Sequence, residues 1–463
     1  MSAFLVPTEP ASPRVPGDRA VPSARFAIAL VGTSLLAAGF AVLVRLALRH
    51  ATRLLFGADD PVDGFRQASS PAWAAAAPAL GALAGGLVTV AAERLPKSGG
   101  VGDVMEAVVF GRGRISFRSA LAKALSSFAA IASGGSLGRE GPVIQMGAAL
   151  GGTLGRWLAL DRVAVRTLYA AGTAAGFAAA YNTPIAATLF VVEIVVGVVA
   201  IELVVPVALA AALATALSRG ALGAEPVFGI RTYALVTTPQ LASSILLGPL
   251  GGLVGVGFMA LLTRGEALFA RVPVGRPLRA ALGGLVVGLI ATQLPEVAGN
   301  GAEAIREMLD GRVIGAAFVV LLLAKPVATT ASVSSGSAGG VFTPSMFVGA
   351  ALGGGLASIF LHGAGADRVP VVGACALVGM ASLVAATTHA PLMASALAFE
   401  MSGDYALVVP LLCATALATA VARRLRPDSI YAAELRRRGV GWDTSLARHV
   451  RASLPPDPPD RSR

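Results

Sequence analysis

Apolar runs close to the ~20 residues that cross a hydrocarbon core recur from one end of the chain to the other, at 26–44, 72–92, 241–262 and 406–422 among others. The elements they predict are membrane-spanning helices, so the chain reads as an all-α polytopic membrane protein. One polar interruption asks for an explanation. The stretch 134-GGSLGREGP-142 sets Arg139 beside Glu140, fenced by glycines and a proline, between two apolar segments. Charged groups inside a membrane are costly, and they mark substrate paths or relays.

The pattern also repeats. An offset of 202 residues lays AKALSSFAAIASGGSLGREGPVIQMGAALGG, without a gap, on AKPVATTASVSSGSAGGVFTPSMFVGAALGG. Lys123 meets Lys325, Pro142 meets Pro344, and both blocks end in the same hexapeptide. At an offset of 207, AAAYNTPIAATLFVVE lies on AATTHAPLMASALAFE, so that Pro184 and Glu193 pair with Pro391 and Glu400. Matches in register and in the same order predict two homologous halves. The first membrane repeat is placed at 25–221 and the second, with a C-terminal helix lining the pore, at 240–435. The segment 222–239 joins them, and Pro-rich polar tails at 1–24 and 436–463 flank them. In duplicated transporters the substrate site lies where the repeats meet, on broken helices that start at matching Gly/Pro-interrupted segments.

GREGP and GVFTP fit that description. Each has a Gly-rich, non-helical approach and a proline early in the next helix, where its missing N–H is harmless. The first amides of a helix have no partner within it and carry roughly half a positive charge. Two such ends meeting in low dielectric make an anion site out of backbone, with donors at Arg139, Glu140 and Gly141 from one half and Val341, Phe342 and Thr343 from the other. Glycines let the chain come close and take up positive φ in the turn before the helix. Glu140 is then a tethered anion placed where a mobile one would sit, able to occupy the site or to take a proton and leave it. Its repeat partner, Phe342, carries no charge.

Composition narrows the class. Hydrophobic residues make up 55% of the 463 and charged residues 14%, against about 25% charged in a soluble domain. The formal charge of +11 collects at the chain ends and in short loops, at Arg14, Arg19, Arg25, Arg423, Arg424, Arg426 and the run Arg436 to Arg438. That distribution predicts a multi-pass protein of the cell membrane with both termini cytoplasmic, rather than a nucleic-acid binder. Cys375 and Cys413 lie in apolar runs, and His50, His362, His389 and His449 are scattered, so no disulfide frame, metal site or cofactor is expected. No nucleophile–base pair at helical spacing and no zinc motif supports an intramembrane enzyme. His389, ahead of Pro391, is expected to make a loop or helix-start hydrogen bond.

At these residues the sequence resembles the CLC family of chloride channels and chloride/proton antiporters. The family's G-[KR]-E-G-P motif is Gly138 to Pro142, its G-x-F-x-P motif is Gly340 to Pro344, and its pore tyrosine matches Tyr431 in PDSIYAAEL. The resemblance implies an inverted-repeat fold of broken and tilted helices, assembled as a homodimer in the bilayer with one pore per subunit. It implies chloride transport gated by Glu140, backbone donors to the anion at Val341 and Phe342, and hydroxyls contacting it from Ser98 and Tyr431. The candidate anion site is therefore Ser98, Gly99, Arg139, Glu140, Gly141, Val341, Phe342 and Tyr431. Ser98, where some relatives have proline, argues for chloride over nitrate, and Tyr431 argues against the fluoride branch. Another anion on the same fold is the alternative.

Three departures from the family pattern matter. The Ser98-Gly99 pair lacks the proline that follows it in relatives, which alters the loop from Lys97 to Gly102. Ile194 stands directly after Glu193, where proton-coupled members carry an inner glutamate; an aliphatic chain cannot relay protons, and Glu202 lies two helical turns further on. Channel and chloride/proton exchanger both stay open on this reading. The short chain after Tyr431 leaves no room for paired nucleotide-sensing (CBS) domains.

Overall fold

The computed structural model describes residues 23–68, 70–95, 100–111, 114–197, 200–229, 238–360 and 368–439. Both tails therefore lie largely outside the described residues, as do the middle of the 222–239 joining segment and the pair Ser98-Gly99.

The described residues form helices joined by short turns. The first half runs α1 (Ala24–Phe56), α2 (Pro61–Arg66), α3 (Pro71–Ala91), α4 (Val101–Met105), α5 (Phe117–Ala132), α6 (Glu140–Trp157), α7 (Arg162–Tyr181), α8 (Pro184–Phe190) and α9 (Ile201–Leu222). The second runs α10 (Thr238–Ala270), α11 (Arg276–Ala291), α12 (Ala302–Leu309), α13 (Ala316–Ser334), α14 (Phe342–Phe360), α15 (Arg368–Thr388), α16 (Pro391–Ser402), α17 (Val408–Leu425) and α18 (Ile430–Arg437). Eight helical segments among the described residues are long and apolar enough to cross a membrane. The apolar run at 26–44 becomes a helix of 33 residues, and so does the run at 241–262. At 1.5 Å per residue each is about 50 Å long, more than a bilayer core is thick, so each must tilt or project.

The repeat seen in the sequence is repeated in the packing. Within the halves α6 lies along α7 and α14 along α15, while α3 lies along α11 across the halves. The two GAALGG runs explain the first two pairs. A Cβ on Gly147 or Gly151 would collide with the carbonyls of Gly172 or Leu168 on α7, and one on Gly349 or Gly353 with those of Gly379 or Cys375 on α15. Small residues let backbones touch where lipid supplies no hydrophobic drive for association. Gly134 and Gly336, at matching positions, both sit at positive φ (97° and 103°), in the turns that lead to the two interrupted segments.

A second reciprocal contact joins the halves. The Glu193 carboxylate accepts the amides of Leu392 (3.2 Å) and Met393 (2.6 Å) at the start of α16. The Glu400 carboxylate accepts those of Ile185 (3.0 Å) and Ala186 (2.7 Å) at the start of α8. Each repeat thus caps a helix of the other, and the Pro/Glu spacing seen in both halves is the trace of that exchange.

Candidate functional site: two helix starts around a buried carboxylate

Gly138 and Gly340 exchange a pair of backbone hydrogen bonds, each 2.7 Å, as an isolated antiparallel bridge. The bridge pins the two interrupted segments together, so that α6 and α14 begin next to each other. Ser or Asp side chains cap α1, α3, α5, α7 and α18, using Ser23, Ser70, Ser116, Asp161 and Ser429. No side chain caps α6, whose N-cap residue is Arg139. Its free amides and their dipole therefore face the junction between the repeats.

Glu140 fills that junction. It is 2% exposed. Its Oε1 accepts the Tyr181 hydroxyl at 2.6 Å and also the Thr343 hydroxyl, and these two hydroxyls are 2.8 Å apart. The Thr343 amide, in the first turn of α14, also faces the carboxylate. Oε2 is buried with no hydrogen-bond partner among the described residues, and it lies so close to Gly138 that a Cβ there would collide with it. Any side chain at 138 would therefore push the carboxylate from the place it occupies.

Glu140 lines a cavity of about 320 Å³ whose wall also includes Gly141, Gly340, Val341, Phe342 and Tyr431. Of the residues expected from sequence, Glu140, Gly141, Val341, Phe342 and Tyr431 are thereby brought together. Ser98 and Gly99 fall outside the described residues, although Gly100 lines the same cavity. Arg139 points elsewhere, into a second cavity of about 290 Å³ shared with Arg45, Arg49 and Arg306. Arg139 entered the expected site for its amide; among the described residues its side chain makes no hydrogen bond or ion pair. Around the carboxylate stands an aromatic wall. Phe342 packs edge-on to Phe177 (5.5 Å between centroids) and tilted against Tyr181 (5.9 Å), while Phe190 meets Tyr431 edge-on at 6.2 Å.

Sequence reasoning missed the hydroxyls of Tyr181 and Thr343. The only available signal was a phenol and a threonine inside apolar repeat blocks. Lys123 and Lys325 share a repeat position but not an environment. Lys325 is fully buried and donates to the carbonyls of Val297 (2.8 Å) and Gly299 (3.0 Å), whereas Lys123 lines the cavity that leads to Glu140. Ile194 is 4% exposed, within a π-helical turn (Val191–Val196) that continues α8. His389 ends α15 at φ 60°; its amide bonds to Ala385 and its carbonyl accepts from Arg423 (3.0 Å), but its ring Nε2 has no partner among the described residues. The hydrogen bond expected of it is made by its backbone at a helix end, not by the imidazole.

A duplicated helical membrane fold in which two helix starts meet around a glutamate defines a CLC-type transport protein, and the chain belongs to the voltage gated chloride channel family, whose profile matches residues 80–423. Among its relatives, a ClcB-like protein of Ralstonia nicotianae named for a chloride channel is 36% identical over 406 residues, covering 86% of this chain and 93% of the relative. The voltage-gated ClC-type chloride channel ClcB of Salmonella typhimurium is 33% identical over 400 residues, covering 84% of this chain and 95% of its own. A slow cyanobacterial Cl-/H+ antiporter shares the fold with a TM-score of 0.80 at 23% identity, over 90% of this chain and 98% of that one. A CLC-type fluoride/proton antiporter aligns with a TM-score of 0.70 at 25% identity, over 88% of this chain and 98% of that one.

Proposed function

We propose that this protein carries chloride across the cell membrane through a CLC-type pore in which Glu140 is the gate. The observation that carries the reading is the Glu140 carboxylate seated at the meeting point of two helix starts, in the wall of a cavity also lined by Val341, Phe342 and Tyr431. Backbone amides bind a small spherical anion without the grip of a fixed cation, so it can also leave. A carboxylate in the same place competes with the mobile anion for those amides, and its displacement opens the path. The repeats at 25–221 and 240–435, a homodimer with one pore per subunit, and chain ends on the cytoplasmic side belong to the same reading.

Ile194 presents only aliphatic carbon where a relaying carboxylate would stand, so any proton that accompanies chloride reaches Glu140 by another route. Purified protein in chloride-loaded liposomes, with a potassium shunt, tests the proposal. Chloride efflux is expected, and Glu140→Ala should keep that efflux, at a higher initial rate, while abolishing any proton movement. Fluoride efflux without chloride efflux would assign a different anion, and no anion flux at all would sink the reading.

A further inference from the structure

The side chains that hold Glu140 come from two elements, one of which, α14, also supplies one of the two helix starts. Tyr181 is the last residue of α7, and Thr343 is the second residue of α14. Their hydroxyls converge on one carboxylate oxygen, Oε1, and touch each other at 2.8 Å. All three side chains are buried: Tyr181 is 4% exposed, Glu140 2% and Thr343 1%. Phe177 and Phe342 pack on the Tyr181 ring at 5.0 and 5.9 Å, which fixes the phenol and dries its surroundings. In such a place hydroxyl donors to a carboxylate stand in for water, and a donor lost is not replaced by solvent. Oε2, by contrast, has no hydrogen-bond partner among the described residues. The carboxylate is therefore held from one side only.

We propose that Tyr181 and Thr343 form a hydroxyl latch that holds Glu140 in the blocking position, so that the two hydroxyls set how often the gate releases. The latch rests on the reading of Glu140 as gate. Neither hydroxyl needs to touch the moving anion; both act through Glu140 as positioning groups. The geometry also gives the latch a direction. The hydroxyls contact the carboxylate as it sits between the helix starts, so they stabilise the occluded state and oppose its displacement by an anion.

Initial rates of chloride efflux from liposomes test this, using isosteric variants that remove only the hydroxyl. Tyr181→Phe and Thr343→Val should each speed efflux, by roughly tenfold where gate release limits flux, since a hydrogen bond to a charged group is of that order. Thr343→Ser keeps a hydroxyl at the same place and should run at the parent rate. In a Glu140→Ala background neither Tyr181→Phe nor Thr343→Val should change the rate, because the group they hold is gone. Equal changes in both backgrounds would show a packing role and overturn the latch. Unchanged rates for both variants with Glu140 intact would overturn it too. Failure of the gate reading is distinguishable: Glu140→Ala itself would then transport no faster than the parent. Should Tyr181→Phe not fold, the Thr343 pair of variants carries the same test.

Discussion

Glycine 349 and glycine 257 are chemically identical and sit in similar apolar helices, yet the structure asks opposite things of them. A Cβ on Gly349 would strike the Gly379 carbonyl, whereas a Cβ on Gly257 meets nothing within 4 Å. Gly349→Val should therefore separate α14 from α15 and cost about 3 kcal/mol or more, seen as a large loss of thermal stability in detergent. Gly257→Ala should be neutral, or stabilising by about 0.5–1 kcal/mol through helix propensity. Comparable destabilisation by both would mean that the close α14–α15 approach is not what the glycines serve. Sequence alone could not separate the two positions, because a helical glycine announces closeness without saying to what. At residue 140 more was legible: a lone carboxylate between glycines, with phenylalanine as its repeat partner, marks itself by asymmetry. The hydroxyls that hold it did not, since Tyr181 and Thr343 lie 41 and 203 residues away along the chain.

At the scale of helices, the exchange of caps between α8 and α16 is the clearest consequence of duplication. Glu193 and Glu400 each satisfy two orphan amides of the opposite repeat, and an arginine stands near each of them, Arg423 near Glu193 and Arg219 near Glu400. Replacing either glutamate with Ala should cost about 2 kcal/mol, from two lost charge-assisted hydrogen bonds. Glu→Gln should cost less because one acceptor survives. Thermal melts of the purified protein check this, and the idea of symmetric capping falls if only one of the two positions matters. The Pro/Glu spacing was visible in the sequence and correctly marked the repeat. Its purpose was not visible, because a carboxylate nine residues after a proline can cap its own helix, a neighbouring helix or none.

For the whole molecule, the cavity beside Glu140 and the cavity beside Arg139 differ in their lining charges. Arg45, Arg49, Arg139 and Arg306 surround the second cavity. Arg49 is held by Asp59 and Arg306 by Glu303, but Arg45 and Arg139 make no hydrogen bond or ion pair among the described residues. If this cavity lies on the anion's way in, two unpaired guanidinium groups there raise the local anion concentration. Arg45→Gln should lower chloride uptake from that side about twofold at low ionic strength, the effect of one unit charge at several ångströms in a watery dielectric. The difference should shrink as an inert salt of a large anion is added. A deficit that ignores ionic strength would point to a structural role for Arg45.

The sequence by itself determined the class of fold, the duplication and the carboxylate proposed as the gate. Each rests on local physics: apolar length against bilayer thickness, the orphan amides of a helix start, and the positive φ that glycine allows at 134 and 336. Tertiary structure alone decided which hydroxyls reach Glu140, that Arg139 lines a second cavity, and that Lys325 is a strut while Lys123 faces a cavity. Those outcomes depend on contacts between residues far apart in the chain, set by how helices cross. Neither the period of a helix nor the type of a residue encodes a crossing, so packing had to be seen before the side chains around the gate could be assigned.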